Sequence, residues 1–377
     1  MSPKTKEKNS GGLGAVVDSF LNGKDYKNHH YSFEDHVEYK ISTGSLLFDM
    51  ATDGGIGPGI VRFIGQYAGG KTSESLELLR NFQNTVSNPF IVYFNAEGRV
   101  NSEVLANAGL KFDDSDNFKV ISTQTLHVVY DTMTKIIREN QQLPKDQKKQ
   151  CAFVIDSLDS LSSADDQMKT AQEATKVAGG AVVASQFLKK VGLALNTQGH
   201  LCIMISQRRD TVSADRYKAT PFKNHNASGG HALDHHANWI FEFSGRFKSD
   251  RIAANTSAAL DDDKNPAIGH YCKLRIKKCP NEKEDLLVRY PVKYNEKGGS
   301  SIWVSKEIVE TMEKIGWFDM RGAWIYLAEE IIQECKEINL EVPEKFQGKK
   351  ELYNFVENNE GFSNYAYKRI SNAFSNV

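Results

Sequence analysis

From Ile41 onward, short apolar runs alternate with stretches whose apolar residues recur at helical spacing. "GIVRFIG" (59–65) precedes a helical pattern over 71–87, "FIVYFNAE" (90–97) one over 101–109, and "FKVIS" (118–122) one over 126–142. "CAFVID" (151–156) is followed by a polar segment and a pattern over 182–197, and then by "HLCIMIS" (200–206). Such alternation predicts βαβ units and a mainly parallel central sheet covered on both faces, an α/β fold. Three later runs, "WIFEFSG" (239–245), "YCKLRIKK" (271–278) and "LLVRYPVKY" (286–294), are separated by turns and polar loops without helices, and read as added antiparallel strands.

Residues 1–32 are polar except for a weakly amphipathic stretch from Leu13 to Leu21, and read as an N-terminal arm and linker. The core is expected over 33–326, and a small C-terminal helical region over 327–377. "WFDMRGAWIY", aromatic at irregular spacing, reads as packing of the last core elements.

One junction between strand and helix carries chemistry. In "FIGQYAGGKTSES" (63–75) the frame from Gly65 is G-x-x-x-x-G-K-T. The backbone N–H groups of such a loop, here Gly65, Gln66, Tyr67, Ala68, Gly69, Gly70, Lys71, Thr72 and Ser73, wrap a phosphate. Lys71 reaches the outer phosphates, the Thr72 hydroxyl ligates Mg²⁺, and the following helix points its N-terminus at the same anion. A random chain of this length shows the motif with a probability of about one in a hundred. ATP with Mg²⁺ is the expected ligand. Asp156, ending "CAFVID", stands where a carboxylate holds the metal. Glu97, just past the preceding strand, is either the group that activates water or a solvated loop carboxylate.

Composition narrows the class. A chain of 377 residues, 40% hydrophobic and 25% charged, supports a sizeable globular enzyme. The longest apolar runs are strand-sized, so no membrane association is expected. Five cysteines, odd in number and without C-x-x-C spacing, favour neither a disulfide framework nor a zinc site, and suit a reducing cytoplasm. The net charge of −1 is no footprint of a duplex-coating protein, so any nucleic-acid contact must be local. The candidate patch holds Arg208, Arg209, Arg216, Lys218 and Lys223 against only Asp210 and Asp215. Either its cations meet phosphates and Tyr217 or Phe222 meets exposed bases, or it is a solvated surface loop whose aromatics fold back on the core.

These phrases also occur together. "ISTGSLLFDMATDGGIGPGIVRFIGQYAGGKT" resembles the opening of the ATPase core of RecA-type DNA strand-exchange recombinases, and "YFNAEG", "VIDSLDSL", "IMISQRRD" and "ASGGHALDHHANWIFEF" follow in that family's order. The likeness spans roughly residues 39 to 326 and is greatest to the phage branch. It implies a RecA-like P-loop ATPase core, DNA-dependent ATP hydrolysis and helical filaments of this chain on single-stranded DNA. It also implies pairing with homologous duplex, in recombination and repair, with single-strand-binding and mediator proteins as possible further partners. For a phage protein the site of action is the host cytoplasm.

By the same resemblance Glu97 is the catalytic glutamate and Asp156 the magnesium aspartate. Gln207 senses the γ-phosphate at the start of a DNA-binding loop that runs over 208–228 and closes at Gly229 and Gly230. A second DNA-facing loop is expected within 164–181. Lys277 of "LRIKKCPN" stands in the frame of a lysine that reaches a neighbouring subunit's nucleotide, and Val104 where an aromatic stacks on adenine. The arm's Val16, Val17, Phe20 and Leu21 are expected to dock on the adjacent core. Two other classes share the P-loop: a ring motor such as a helicase, and a non-catalytic mediator switched by nucleotide.

Overall fold

The computed structural model describes residues 16, 19, 37–113, 116–163, 179–207, 230–255, 258–261 and 263–375. Residues 1–37 and 38–377 form separate units. In the first, Val16 and Ser19 are helical, while Val17, Phe20 and Leu21 lie outside the described residues.

In the second unit the apolar runs become the strands of one nine-stranded sheet. Its parallel part is β1 (Gly59–Gly65), β2 (Pro89–Asn95), β3 (Phe118–Ile121), β4 (Gln150–Asp156), β5 (Leu201–Gln207) and β6 (Trp239–Phe243), in the spatial order β3-β2-β4-β5-β1-β6. β7 (Arg251–Ala253), β8 (Ala267–Lys278) and β9 (Leu287–Lys293) complete it, with β8 antiparallel to β6, β7 and β9. The expectation that "WIFEFSG" is antiparallel is corrected, because β6 runs parallel to β1. A parallel return needs a crossover, and the chain between Gln207 and Trp239 is long enough for one and ends in a helix over Gly230–His236.

Side chains alternate between the two faces. Val61 and Phe63 of β1 join one apolar cluster with Leu78, Phe82, Tyr93, Val154 and Ile203. Ile60 and Ile64 join the other with Val129, Met133, Phe153, Leu188 and Met204. The helices that supply these clusters are α2 (Lys71–Thr85) on the first face, and α4 (Leu126–Gln142) and α5 (Gly179–Thr197) on the second. Helices α1 (Leu46–Ala51) and α3 (Ser102–Asn107) are short. α5 begins at Gly179, three residues before the expected start, so Gly179 to Ala181 are helical and not loop.

The C-terminal part is not a purely helical appendage. β10 (Phe318–Arg321), β11 (Trp324–Leu327) and β12 (Lys345–Gln347) form a second, antiparallel sheet, and a boundary at 326/327 cuts through β11. Gly322, with φ of 63°, opens the two-residue turn joining β10 to β11, and "WFDMRGAWIY" is therefore a hairpin. A third apolar cluster gathers Ile325, Phe346, Leu352 and Phe362 with Ile308 and Met312, and it includes Leu46 of α1. Among the described residues no helix is long and apolar enough to cross a membrane.

α1 is too short to hold itself, so its ends are tied from outside. Ser45 caps it, accepting from the Phe48 N–H at 3.1 Å, and donates its hydroxyl to Glu307 Oε1 at 2.6 Å. Leu46 N–H donates to Glu307 Oε2 at 3.0 Å and Leu47 N–H to Oε1 at 3.3 Å. Asp49 accepts from Thr43 N–H, from the Thr43 and Ser42 hydroxyls, and from Tyr367 Oη. The "STGS" phrase therefore joins α1 to the C-terminal elements.

Burial of Glu307 pushes its carboxyl up from 4.5 to about 7, against the pull of the three donors. Glu307→Ala leaves those donors buried without an acceptor and should lower stability by about 2–3 kcal/mol, read from the denaturant midpoint. A folded pKa raised above the unfolded one gives a stabilising contribution that is complete below about pH 4.5 and is lost as the pH rises through about 7. Glu307→Gln should therefore flatten the loss of stability over that interval, in melts recorded from pH 4.5 to 8.

Candidate functional site

The site lies at the carboxyl ends of the parallel strands, where open α/β sheets present ligands. β1 stops at Gly65, whose φ of 147° belongs to glycine. A Cβ there would fall 2.1 Å from the Phe243 carbonyl oxygen, so β6 leaves room for hydrogen only. The loop then turns through Gly70, at φ of 102°, into α2. Gly70 gives no side-chain cap, so the first-turn N–H groups of α2 face the cleft with the helix dipole behind them.

Lys71 opens α2 and is 8% exposed. Its ammonium donates to the carbonyls of Gly65 at 3.0 Å and Gln66 at 2.7 Å. Burial lowers its pKa, the carboxylates Asp156, Glu97 and Asp159 oppose that, and the Arg99 charge adds to it. The next residue, Thr72, donates its hydroxyl to Asp156 Oδ2 at 2.9 Å. Tyr93, inside β2, donates to the same oxygen at 2.8 Å. Burial raises the Asp156 carboxyl, and these two donors partly reverse the shift. A hydroxyl beside a carboxylate at the foot of a phosphate loop is the donor set that a hard divalent cation takes, so Thr72 and Asp156 fit Mg²⁺.

Glu97 follows β2 and is 11% exposed. Its Oε1 accepts from the Ser157 hydroxyl at 2.6 Å and from Gln207 Nε2 at 2.8 Å. Its Oε2 pairs with Arg99 at 3.0 Å. Gln207 ends β5, opposite Gly65 in the register, and its own N–H donates to Asp159 at 2.5 Å. Five residues picked from the sequence, Lys71, Thr72, Glu97, Asp156 and Gln207, thus line one cleft.

Other expected residues fall elsewhere. Lys277, expected to reach a neighbouring subunit's nucleotide, does not line this chain's own cleft. The β6–β8 register slips there, pairing Phe241 with Ile276 and Ile240 with Lys278, which leaves Lys277 as the extra residue of a bulge. Lys278 donates to the carbonyls of Asp234 and His235, at the end of α6 (Gly230–His236). Val104, in α3, packs against the first core cluster. Arg208, Arg209, Arg216, Tyr217, Lys218, Phe222, Lys223 and Gly229 lie outside the described residues, as does 164–178 of the second expected loop, and Gly230 opens α6.

Sequence reasoning missed Tyr93, Ser157 and Asp159, which hold the carboxylates and Gln207, and the cations Arg99 and Arg246, which line the cleft. Ser157 and Asp159 were within reach, since both stand within three residues of Asp156 in "VIDSLDSL". Arg246 was not, because only the β1–β6 pairing brings its segment to the loop.

Neither the models of known protein families nor the curated proteins match this chain.

Because the Gly65 position has no space for a methyl group, Gly65→Ala should destabilise the fold by about 2 kcal/mol or more, through overpacking against Phe243 and strain at positive φ. Chemical denaturation of the variant beside the wild type measures it.

Proposed function

We propose that this chain is a RecA-type DNA strand-exchange protein that hydrolyses ATP, assembles as a helical filament on single-stranded DNA and pairs that strand with homologous duplex. The observation that carries this reading is the Gln207 side chain on Glu97. One residue touches the candidate catalytic carboxylate and is also the last before the cation-rich segment 208–223. Occupancy of the nucleotide cleft and the position of that segment are thereby joined through a single amide. The order of phrases from "STGS" to "SGGHALDHHANW" supports the same reading, as does the α/β core with its phosphate loop after β1.

In this mechanism the N–H groups of residues 65–73 and the start of α2 receive the phosphate chain. Lys71 exchanges its two carbonyl partners for phosphate oxygens, a stronger charge-assisted contact. Thr72 and Asp156 would hold Mg²⁺, which supplies positive charge to the β- and γ-phosphate oxygens. Glu97 takes a proton from a water molecule. That water's oxygen bonds to the γ-phosphorus as the bond to the β,γ-bridging oxygen breaks, and the electron pair leaves on ADP. Gln207, bonded to Glu97 on one side and to Asp159 on the other, reports the change to the segment that follows it.

The test is ATP turnover with and without single-stranded DNA, together with negative-stain microscopy of the protein on DNA with an ATP analogue. DNA-stimulated turnover with long filaments is expected. Rings with turnover would favour a motor, and filaments without turnover a nucleotide-switched mediator. Lys71→Ala should weaken nucleotide binding by about tenfold to a hundredfold with the far-UV circular dichroism unchanged. Glu97→Gln should keep binding and filaments while turnover falls by about a hundredfold or more.

A further inference from the structure

Arg99 stands two residues beyond Glu97, with a side chain that is 59% exposed and yet fixed at two points. Its guanidinium pairs with Glu97 Oε2 at 3.0 Å and lies over the Tyr67 ring, 5.3 Å from the centroid. Tyr67 belongs to the phosphate loop and is itself 72% exposed. An ion pair and a cation–π contact made by an exposed guanidinium do little more than offset the rotamer entropy that an arginine side chain loses when it is held. Arg99 is thus held weakly at the lip of the cleft.

What it holds is the carboxylate that the proposed mechanism needs free. Both oxygens of Glu97 are engaged, Oε1 by Ser157 and Gln207 and Oε2 by Arg99, so its negative charge is shared among protein donors. Arg99 also lines the cleft that Gly70, Lys71 and Thr72 line. Its field reaches the Lys71 ammonium, whose pKa it helps to lower. A guanidinium fork matches a carboxylate and a phosphate equally well, so both partners are within its chemistry.

We propose that Arg99 is a latch on Glu97 whose alternative partner is the terminal phosphate of a nucleoside triphosphate. This rests on the ATPase reading and deepens it. In the arrangement seen, Arg99 neutralises Glu97. On a triphosphate it transfers its donors to γ-phosphate oxygens, where it stabilises the charge of phosphoryl transfer, and Glu97 is released to take the proton from water. A diphosphate lacks the γ-group, so it leaves the latch shut. Arg99 then serves two ends, discrimination of triphosphate from diphosphate and suppression of the base until the substrate is complete.

The test compares wild type, Arg99→Ala, Arg99→Lys, Glu97→Gln and the Arg99→Ala/Glu97→Gln double variant, titrated calorimetrically with a β,γ-imido ATP analogue and with ADP, both with Mg²⁺. Arg99→Ala should lose about tenfold or more of the preference for the triphosphate, with ADP affinity nearly unchanged, and Arg99→Lys should restore part of it. Glu97→Gln opens the latch, so it should tighten triphosphate binding a few-fold in the wild-type background and not in the Arg99→Ala background, a coupling that a merely structural pair does not give. An unchanged triphosphate-to-ADP ratio in Arg99→Ala, or an equal effect of Glu97→Gln in both backgrounds, would overturn the latch and leave the ATPase reading intact. Failure of the wild-type protein to bind either nucleotide would overturn that reading and the latch with it.

Discussion

The parallel register of β1 with β5 and β6, and of β2 with β4, fixes where the charged groups of the cleft can stand. Gly65 pairs with Gln207 across the first boundary, and Asn95 pairs with Asp156 across the second. The strands therefore end level, and the residues just beyond them project into one space from four chain segments. A slip of one residue in any of these pairs would exchange the two faces of that strand, sending Val61 and Phe63 where Ile60 and Ile64 pack. Packing on both faces thus defends the alignment of a polar edge that has no apolar reason of its own to be ordered.

The C-terminal elements are fastened to the same core through α1. Glu307 takes the N-terminal donors of that helix, and Tyr367 reaches Asp49 on its other side, at 2.7 Å. Leu46 then places an apolar side chain in the third cluster beside Ile308 and Met312. A helix of six residues is unstable alone, so the polar phrase before it and the distant acid that caps it form one stabilising unit. Chain segments more than 250 residues apart in sequence meet there, and none of their periodicities announces it.

Local patterns carried the strands and helices well, because burial on both faces makes parallel strands read as continuous apolar runs and makes the intervening helices amphipathic. β4 and α4 fall within a residue of the segments read from "CAFVID" and over 126–142. The loop between β1 and α2 was legible as a loop, since its glycines, lysine and threonine are contiguous. Direction was harder to see. "WIFEFSG" has the composition of either kind of strand, and only its pairing with β1 makes it parallel. The "RGAW" turn of the β10–β11 hairpin had a signal in its glycine, but four-residue strands are too short for an alternation to stand out. The slip at Lys277 left no trace in "LRIKK", where each lysine has an equal claim on any frame until a bulge separates them.

The electrostatics of the cleft explain why its parts needed one another. Lys71 and Asp156 are both buried, and burial pushes each toward its neutral form, the lysine downward and the aspartate upward. Their mutual attraction and the donors Thr72 and Tyr93 act in the opposite sense. The folded protein therefore holds opposite charges at a cost in solvation that their own pairing only partly offsets. Under the proposed function, a polyanion with a divalent cation would complete both ends, with phosphate oxygens for Lys71 and a metal for Asp156. Arg99 is the exception in this set, exposed where Lys71 and Asp156 are buried.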